Sequence, residues 1–345
     1  MSNLTETAFY TRKIINWAIV VLILYIIGQF IFTVVIRNVR LLIPKKPLKP
    51  DNALGILPPI VFPTPITNTN GITYRLGTLD GTIPVASDTA KVYFMPKERP
   101  NFLGLSKAKT QASQLGFKAE PVQKSATEYE WSDPTTPLRT LTMDIISRHI
   151  NFSYNYAQDL SLFTVKPFSS ESKAISDATD FLRRNGLLPF DVDAIHAQVT
   201  PLRIQSNVLV STDAIKEADA ARIDFFRNPI EKAKVITPDP TRGIISLTLS
   251  GASNEKKVIE LRYRYWPVSY DLLWRYAIVQ SKIAWNKLQN GEGFIAQNPN
   301  NLSEVTIRKV NVGYLDTYES QVFLQPVFIF EGDNDFVAYV PAIVY

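Results

Sequence analysis

The chain has 345 residues, and its 46% hydrophobic and 20% charged content is that of a folded protein with one large or two modest cores, which excludes wholesale disorder. It has no cysteine, which excludes disulfides, thiolate catalysis and sulfur-ligated zinc or iron–sulfur sites. The pI near 9.1 is a local matter: residues 1–50 hold Arg12, Lys13, Arg37, Arg40, Lys45, Lys46 and Lys49 against Glu6, a net of +6, which leaves 30 basic against 31 acidic residues elsewhere.

That basic collar surrounds Ile14 to Ile36, IINWAIVVLILYIIGQFIFTVVI, which lacks any Asp, Glu, Lys, Arg or His. As a helix it spans roughly 34 Å, enough for a bilayer's hydrocarbon core. Arg12 and Lys13 bracket one end, with Arg37 and Arg40 at the other, where their stems can snorkel to headgroups, and Trp17 is an interfacial anchor. A buried core helix would carry a polar face, and a cleavable signal would have a shorter apolar run with a small-x-small exit. Neither fits, so a single uncleaved span is expected, with the lipid bilayer as partner and nucleic acid as none. Pro44 to Pro65 reads as a semi-rigid stalk. The collar after the span favours a cytoplasmic domain, the stalk an outward one, and these two signals leave the side open.

Beyond Ile66 short strands alternate with isolated helices. AKVYFMP (90–96) reads as a strand and LGLSKAKTQASQLGF (103–117) as a helix stopped by Gly116. TEYEWSD and a long bent LRTLTMDIISRHINFSYNY then read as strands. A second cycle opens with SSESKAISDATDFLRRNGLLP, a helix with Ser169 or Ser170 as N-cap and Asn185–Gly186 as stop. Its strands are DAIHAQVTPLRIQSNVLVS, ARIDFFR, RGIISLTLSG and KKVIELRYRYWPVS. A third has a helix over Tyr276–Gly293 with Ile278, Ile283, Ala284 and Leu288 inward. Three antiparallel strands close the chain, the last two joined by a GDND hairpin turn. Helix followed by antiparallel strands, three times over, predicts an α+β fold with helices on one face of curved sheets. The expected organisation is a tail (1–13), a transmembrane helix (14–36), a basic Pro-rich stalk (37–66) and three modules (67–165, 166–270 and 271–345).

Chemistry-bearing motifs are sparse. Ser-x-x-Lys occurs at Ser106, Ser170 and Ser253 without the SDN and KTG elements of a penicillin-recognising enzyme. His149 and His196, both placed in strands, have no triad or HExxH setting. The acidic tip Glu331–Asp335 lacks the alternating ligands of a calcium loop. The Asn-x-Ser/Thr triplets at Asn3, Asn151 and Asn301 are of a kind that recurs by chance, and the aromatic runs YRYWP and LLWRY read as packing. No catalytic residue, metal site or cofactor is expected.

AWNKLQNGEGFIA (284–296), VTIRKVNVGYLDT and LQPVFIFEGDNDFVAYVPAI together resemble the closing module of the YycH/YycI and PepSY-like superfamily. The matching positions are Ala284, Trp285, Leu288, Gly291, Gly313, Tyr314, Pro326, Val327 and Phe330. Trp285 and Leu288 share a helical face, Gly291 permits a left-handed cap, and Pro326 suits a strand edge or bulge. The resemblance covers about the last 70 residues. It implies a membrane-anchored, extracytoplasmic binding or regulatory protein whose partner is another membrane or envelope protein. A cell-envelope hydrolase and a structural scaffold or adhesin are the alternatives.

Overall fold

The structure is a computed structural model describing residues 4–42, 49–51, 53–63, 71–78, 81–166, 168–253 and 256–344, with backbone alone for 4–8, 10 and 33–42. It divides into two compact units, Met1–Leu48 and Lys49–Tyr345. The first is helix α1 (Leu4–Leu42). Its stretch Thr11–Phe32 is long and apolar enough to cross a membrane. Arg12, Lys13 and Trp17 are exposed on it, whereas the side chains of Arg37 and Arg40 lie outside the described residues. The helix outruns the expected span at both ends. No proline interrupts the sequence until Pro44, so residues 37–42, assigned to a stalk, continue the helix.

The second unit is α+β. It opens with β1 (Thr73–Leu76) and β2 (Thr89–Phe94), then α2 (Gly104–Gln114), after which Gly116 takes the left-handed conformation at φ +92. A meander of β3 (Val122–Gln123), β4 (Glu128–Ser132), β5 (Arg139–Asp144) and β6 (Ile150–Tyr154) follows. The long bent strand expected here is two strands. Asp144 Oδ1 accepts the N–H groups of Ile146 (2.9 Å) and Ser147 (2.7 Å), and Arg148 at φ 59 completes the reversal.

Helix α3 (Glu171–Arg184) has the expected ends: the Ser170 hydroxyl accepts the Lys173 N–H at 3.2 Å, and Gly186 sits at φ +65. The stretch from Asp193 to Ser211 is also a hairpin, β7 (Gln198–Gln205) and β8 (Val208–Ser211), turned by Ser206 and Asn207 at positive φ. Then come β9 (Ala220–Phe225), β10 (Val235–Ile236), β11 (Ile245–Ser250), β12 (Val258–Tyr263) and β13 (Ser269–Ala277). Helix α4 (Ser281–Gln289) starts five residues later than expected, because Tyr276 and Ala277 pair as strand with Ala90 and Thr89. Ile283, expected inward, is exposed, while Ala284 and Leu288 are buried. The chain ends with β14 (Phe294–Gln297), β15 (Glu304–Leu315), β16 (Phe323–Gly332) and β17 (Val337–Pro341).

Among the described residues the strands form two sheets. One is nine-stranded, in the order β3-β4-β5-β6-β12-β11-β9-β7-β8, and wholly antiparallel. The last strands of the first two cycles, β6 and β12, pair with each other, so segments 67–165 and 166–270 meet in one sheet. Its inner face packs Leu141, Phe152, Ile223, Leu247 and Leu261 against Ala108 and Ala112 of α2 and Ala174, Ala178 and Leu182 of α3. On its outer face, Ser132, Thr140, Ser153, Glu260, Thr248, Arg222 and Thr200 stand side by side across seven strands. The eight-stranded second sheet runs β1-β15-β16-β17-β14, with β2, β10 and β13 joined to its side. Here β1 and β2, from the expected first module, pair with strands of the last.

Candidate functional site

The Pro-rich segment is not a free stalk over its described part. Residues 49–51 and 53–63 run along the second sheet as a strap. The Asp51 N–H donates to the Arg275 carbonyl (2.9 Å), and the Arg275 N–H returns a bond to Asp51 Oδ1 (3.0 Å). The Tyr276 hydroxyl accepts the Leu54 N–H and donates to the Gly55 carbonyl, each at 3.1 Å. Gln325 Nε2 donates to the Pro58 carbonyl at 2.8 Å. Toward its end the strap has Pro58, Pro59 and Pro63, which lack an N–H to give a ladder, and there a side chain, Gln325, takes its carbonyl. Leu57 is buried, and Phe62 stacks on Phe294 with ring centres 4.8 Å apart.

Between this strap and the loop after β15 lies a groove of about 320 Å³, walled by Pro58, Pro59 and Val61 on one side and by Pro238, Tyr318 and Val322 on the other. Tyr318 is fixed in place: its hydroxyl donates to the Arg242 carbonyl (2.7 Å), its carbonyl accepts Trp266 Nε1–H (3.1 Å), and the Arg262 guanidinium lies 4.2 Å from its ring centre. Val61 and Val322 remain exposed. Prolines, a tyrosine and aliphatic side chains make an apolar trough suited to an extended segment.

The residues that carried the family resemblance fall into two groups. Ala284, Trp285 and Leu288 of α4 pack on Phe328, Phe330 and Val340, with the Trp285 ring 6.1 Å from Phe330 and 6.4 Å from Tyr74. The sequence left open which alternate set of PVFIF faces the helix, and it is the phenylalanines. Val327 and Ile329, on the other face, meet the strap's Ile60 and Phe62. Gly291 takes φ +77 as the cap of α4. At the other end, a Cβ on Gly313 would stand 2.7 Å from the Lys234 carbonyl, because β10 crosses there. Tyr314 packs edge-on to Tyr93 at 5.6 Å, and its phenol is held well above the usual range by burial. Pro326 lies in the interior strand β16, not at an edge. Its missing N–H costs little, because the ladder to β17 ends at Val327↔Pro341 and the Ala342 N–H bonds the Pro326 carbonyl at 3.1 Å.

Sequence reasoning missed a buried charge cluster where the two sheets meet. Arg227, following β9, is ion-paired to Asp191 and, at 2.9 Å, to Asp316 after β15; it also donates to the Trp266 carbonyl at 2.8 Å. The Tyr270 hydroxyl donates to Asp191 at 2.7 Å. One oxygen of each aspartate is buried without a partner. Burial holds the Asp316 carboxyl above the usual range, with Arg227 pulling it back and Asp191 adding to the rise. Nothing in the sequence marks these groups, which lie 36 and 89 positions from Arg227.

Neither histidine lies in a strand. His149 sits at the turn before β6, half-buried, edge-on to Trp266 at 4.5 Å. Desolvation, reinforced by Arg264 and opposed by Asp144, pushes it down to about 4. His196 is exposed, with Nδ1 2.9 Å from Asp193. The acidic tip is a hairpin turn, with Asn334 and Asp335 at positive φ and Asp333 held by Arg308 at 2.7 Å. No group of three or more acidic or histidine side chains among the described residues is arranged to hold a metal.

No family model matches the chain, and no curated protein matches it. The solved structures similar to this chain include the following two. An uncharacterized protein from Eubacterium rectale has a TM-score of 0.40 at 10% identity, over 80% of this chain and 87% of that one. The YpeB C-terminal domain of Bacillus megaterium has a TM-score of 0.33 at 13% identity, over 72% of this chain and 95% of that one. Likenesses this remote carry no argument about function.

Proposed function

We propose that this chain is a single-pass protein of the bacterial plasma membrane whose folded unit stands outside the cell and acts by binding another membrane or envelope protein, without catalysis. The observation that carries this reading is the sequence of parts: a helix long and apolar enough to cross a bilayer is followed in the chain by a strap that walls an apolar groove. The resemblance to YycH/YycI and PepSY-like modules supports an outward-facing, partner-restraining role and weighs against the positive charge that follows the span. Asp144 is engaged in its turn, and Asp191 and Asp316 on Arg227.

Two measurements test this. Protease added to intact cells should degrade the folded unit and spare residues 1–13; protection until lysis would put the domain in the cytoplasm. A photo-crosslinking residue at Val322, on the groove, should give a discrete adduct in native membranes, and one at Val208, on the edge strand β8, should not. Equal labelling from both positions would remove the groove from the proposal.

A further inference from the structure

The segment Lys97–Lys107, KERPNFLGLSK, makes a tip that neither the groove nor the core uses. Phe102 is 109% exposed, as open as in an extended chain, and its neighbour Leu103 is 61% exposed. Single exposed apolar residues are ordinary, but an adjacent Phe–Leu pair projecting from a loop on a folded unit is not. Its shape is fixed from behind: Asn101 Oδ1 accepts the Leu103 N–H at 2.6 Å, and the Gly104 N–H bonds the Asn101 carbonyl at 2.9 Å. The flanks are cationic. Lys97, Arg99, Lys107 and Arg148 are all exposed, against Glu98, 3.8 Å from Arg148, and Asp144, which its own turn consumes. Arg99 and Lys107 make no ion pair among the described residues. Beneath the tip a cleft of about 200 Å³, with Ile145, Ile146 and Leu187 in its wall, has Arg99, Lys107 and Arg148 at its border.

An apolar point flanked by exposed cations, of which Arg148 alone has an acidic partner among the described residues, matches one kind of surface: anionic headgroups over acyl chains. The chain's own helix would hold the folded unit beside such a surface, so that a contact too weak to bind from solution becomes effectively intramolecular. We infer that the Lys97–Lys107 tip is a second membrane contact, in which Phe102 and Leu103 enter the headgroup layer of an anionic bilayer and Arg99, Lys107 and Arg148 bind its phosphates. This rests on the membrane reading above but not on the groove or its partner.

The test is hydrogen–deuterium exchange on the full chain in nanodiscs of phosphatidylcholine with and without phosphatidylglycerol. Exchange across residues 97–107 should slow by roughly tenfold with phosphatidylglycerol, while β8 exchanges equally in both. Arg99→Glu/Lys107→Glu and, separately, Phe102→Ser should abolish the slowing; both alter exposed positions. Equal exchange in the two lipids, or slowing that survives charge reversal, would overturn the assignment. Slowing seen only in native membranes would also overturn it, because a protein and not lipid would then cover the tip. A chain that fails to enter the discs would overturn the membrane reading itself.

Discussion

The two sheets solve the same burial problem in opposite ways. The nine-stranded sheet is one-faced: helices cover its apolar side, its other side is a field of Ser, Thr, Glu and Arg, and every strand comes from residues 122–263. The eight-stranded sheet is two-faced. Phe328 and Phe330 meet α4 on one side, Val327 and Ile329 meet the strap on the other, and its strands, the short β10 apart, come from the two ends of the folded unit. A one-faced antiparallel sheet can be built locally from hairpins. A two-faced sheet needs a cover for each side, and here the second cover is the stretch of chain that follows α1. What links the two is a buried arginine between carboxylates from each side.

The sharpest way to break the comparison is at that junction. Arg227→Met leaves Asp191 and Asp316 buried without their cation and should cost about 4 kcal/mol. Chemical denaturation of the full chain in detergent should then show two transitions in place of one; a single, merely shifted transition would mean that the sheets do not depend on this contact. Trp285→Ala empties the space between α4 and Phe330 and should cost about 3 kcal/mol, a little less than for a wholly buried tryptophan. Combined with Arg227→Met, its loss should fall on the transition of the two-faced sheet, and a loss shared equally by both would erase the distinction.

These elements also mark what the sequence could and could not tell. Helix α3 was legible at both ends because its signals are local: Ser170 caps it and Gly186 stops it. The antiparallel trio β15, β16 and β17 was legible for the same reason. The turn at Asp144 was missed because it contains no glycine, and an aspartate with a left-handed arginine does the work instead. The early start given to α4 came from reading an apolar, aromatic stretch by helical spacing, when distant pairing with β2 decided it. The strap was missed for a different reason. Proline content predicts extended backbone equally well for a free stalk and for a docked one. The groove and the Arg227 cluster are made of residues far apart in the chain, and no spacing rule reaches them.

Smaller effects sharpen the contrast. Phe62→Ala should cost about 2 kcal/mol, through the lost stack on Phe294 and the opened face beneath it. Limited proteolysis should then cut within residues 49–63 while α2 and α3 stay resistant. Acid should act on the other region, because His149 lies at the turn between β5 and β6 of the nine-stranded sheet. The folded state holds His149 neutral down to about 4. Its contribution is therefore complete above the ordinary imidazole range and is lost as pH falls from there toward 4. Stability should decline with acidification over that window, and His149→Gln should flatten the slope; an unchanged slope would assign it to other groups.

A tether laid along a sheet answers load differently from one that hangs free. Tension arriving at Lys49 meets the Asp51–Arg275 pair first, then Tyr276 with Leu54 and Gly55, then Gln325 with Pro58, and last the ring stack of Phe62 on Phe294. Fasteners arranged in that order come undone one at a time, each at modest force, where a sheared ladder would yield all at once. Complete peeling would release residues 49–63, which in extended polyproline geometry reach about 45 Å. The folded unit thus carries its own stored length of line, and paying it out would expose the face of the second sheet beneath.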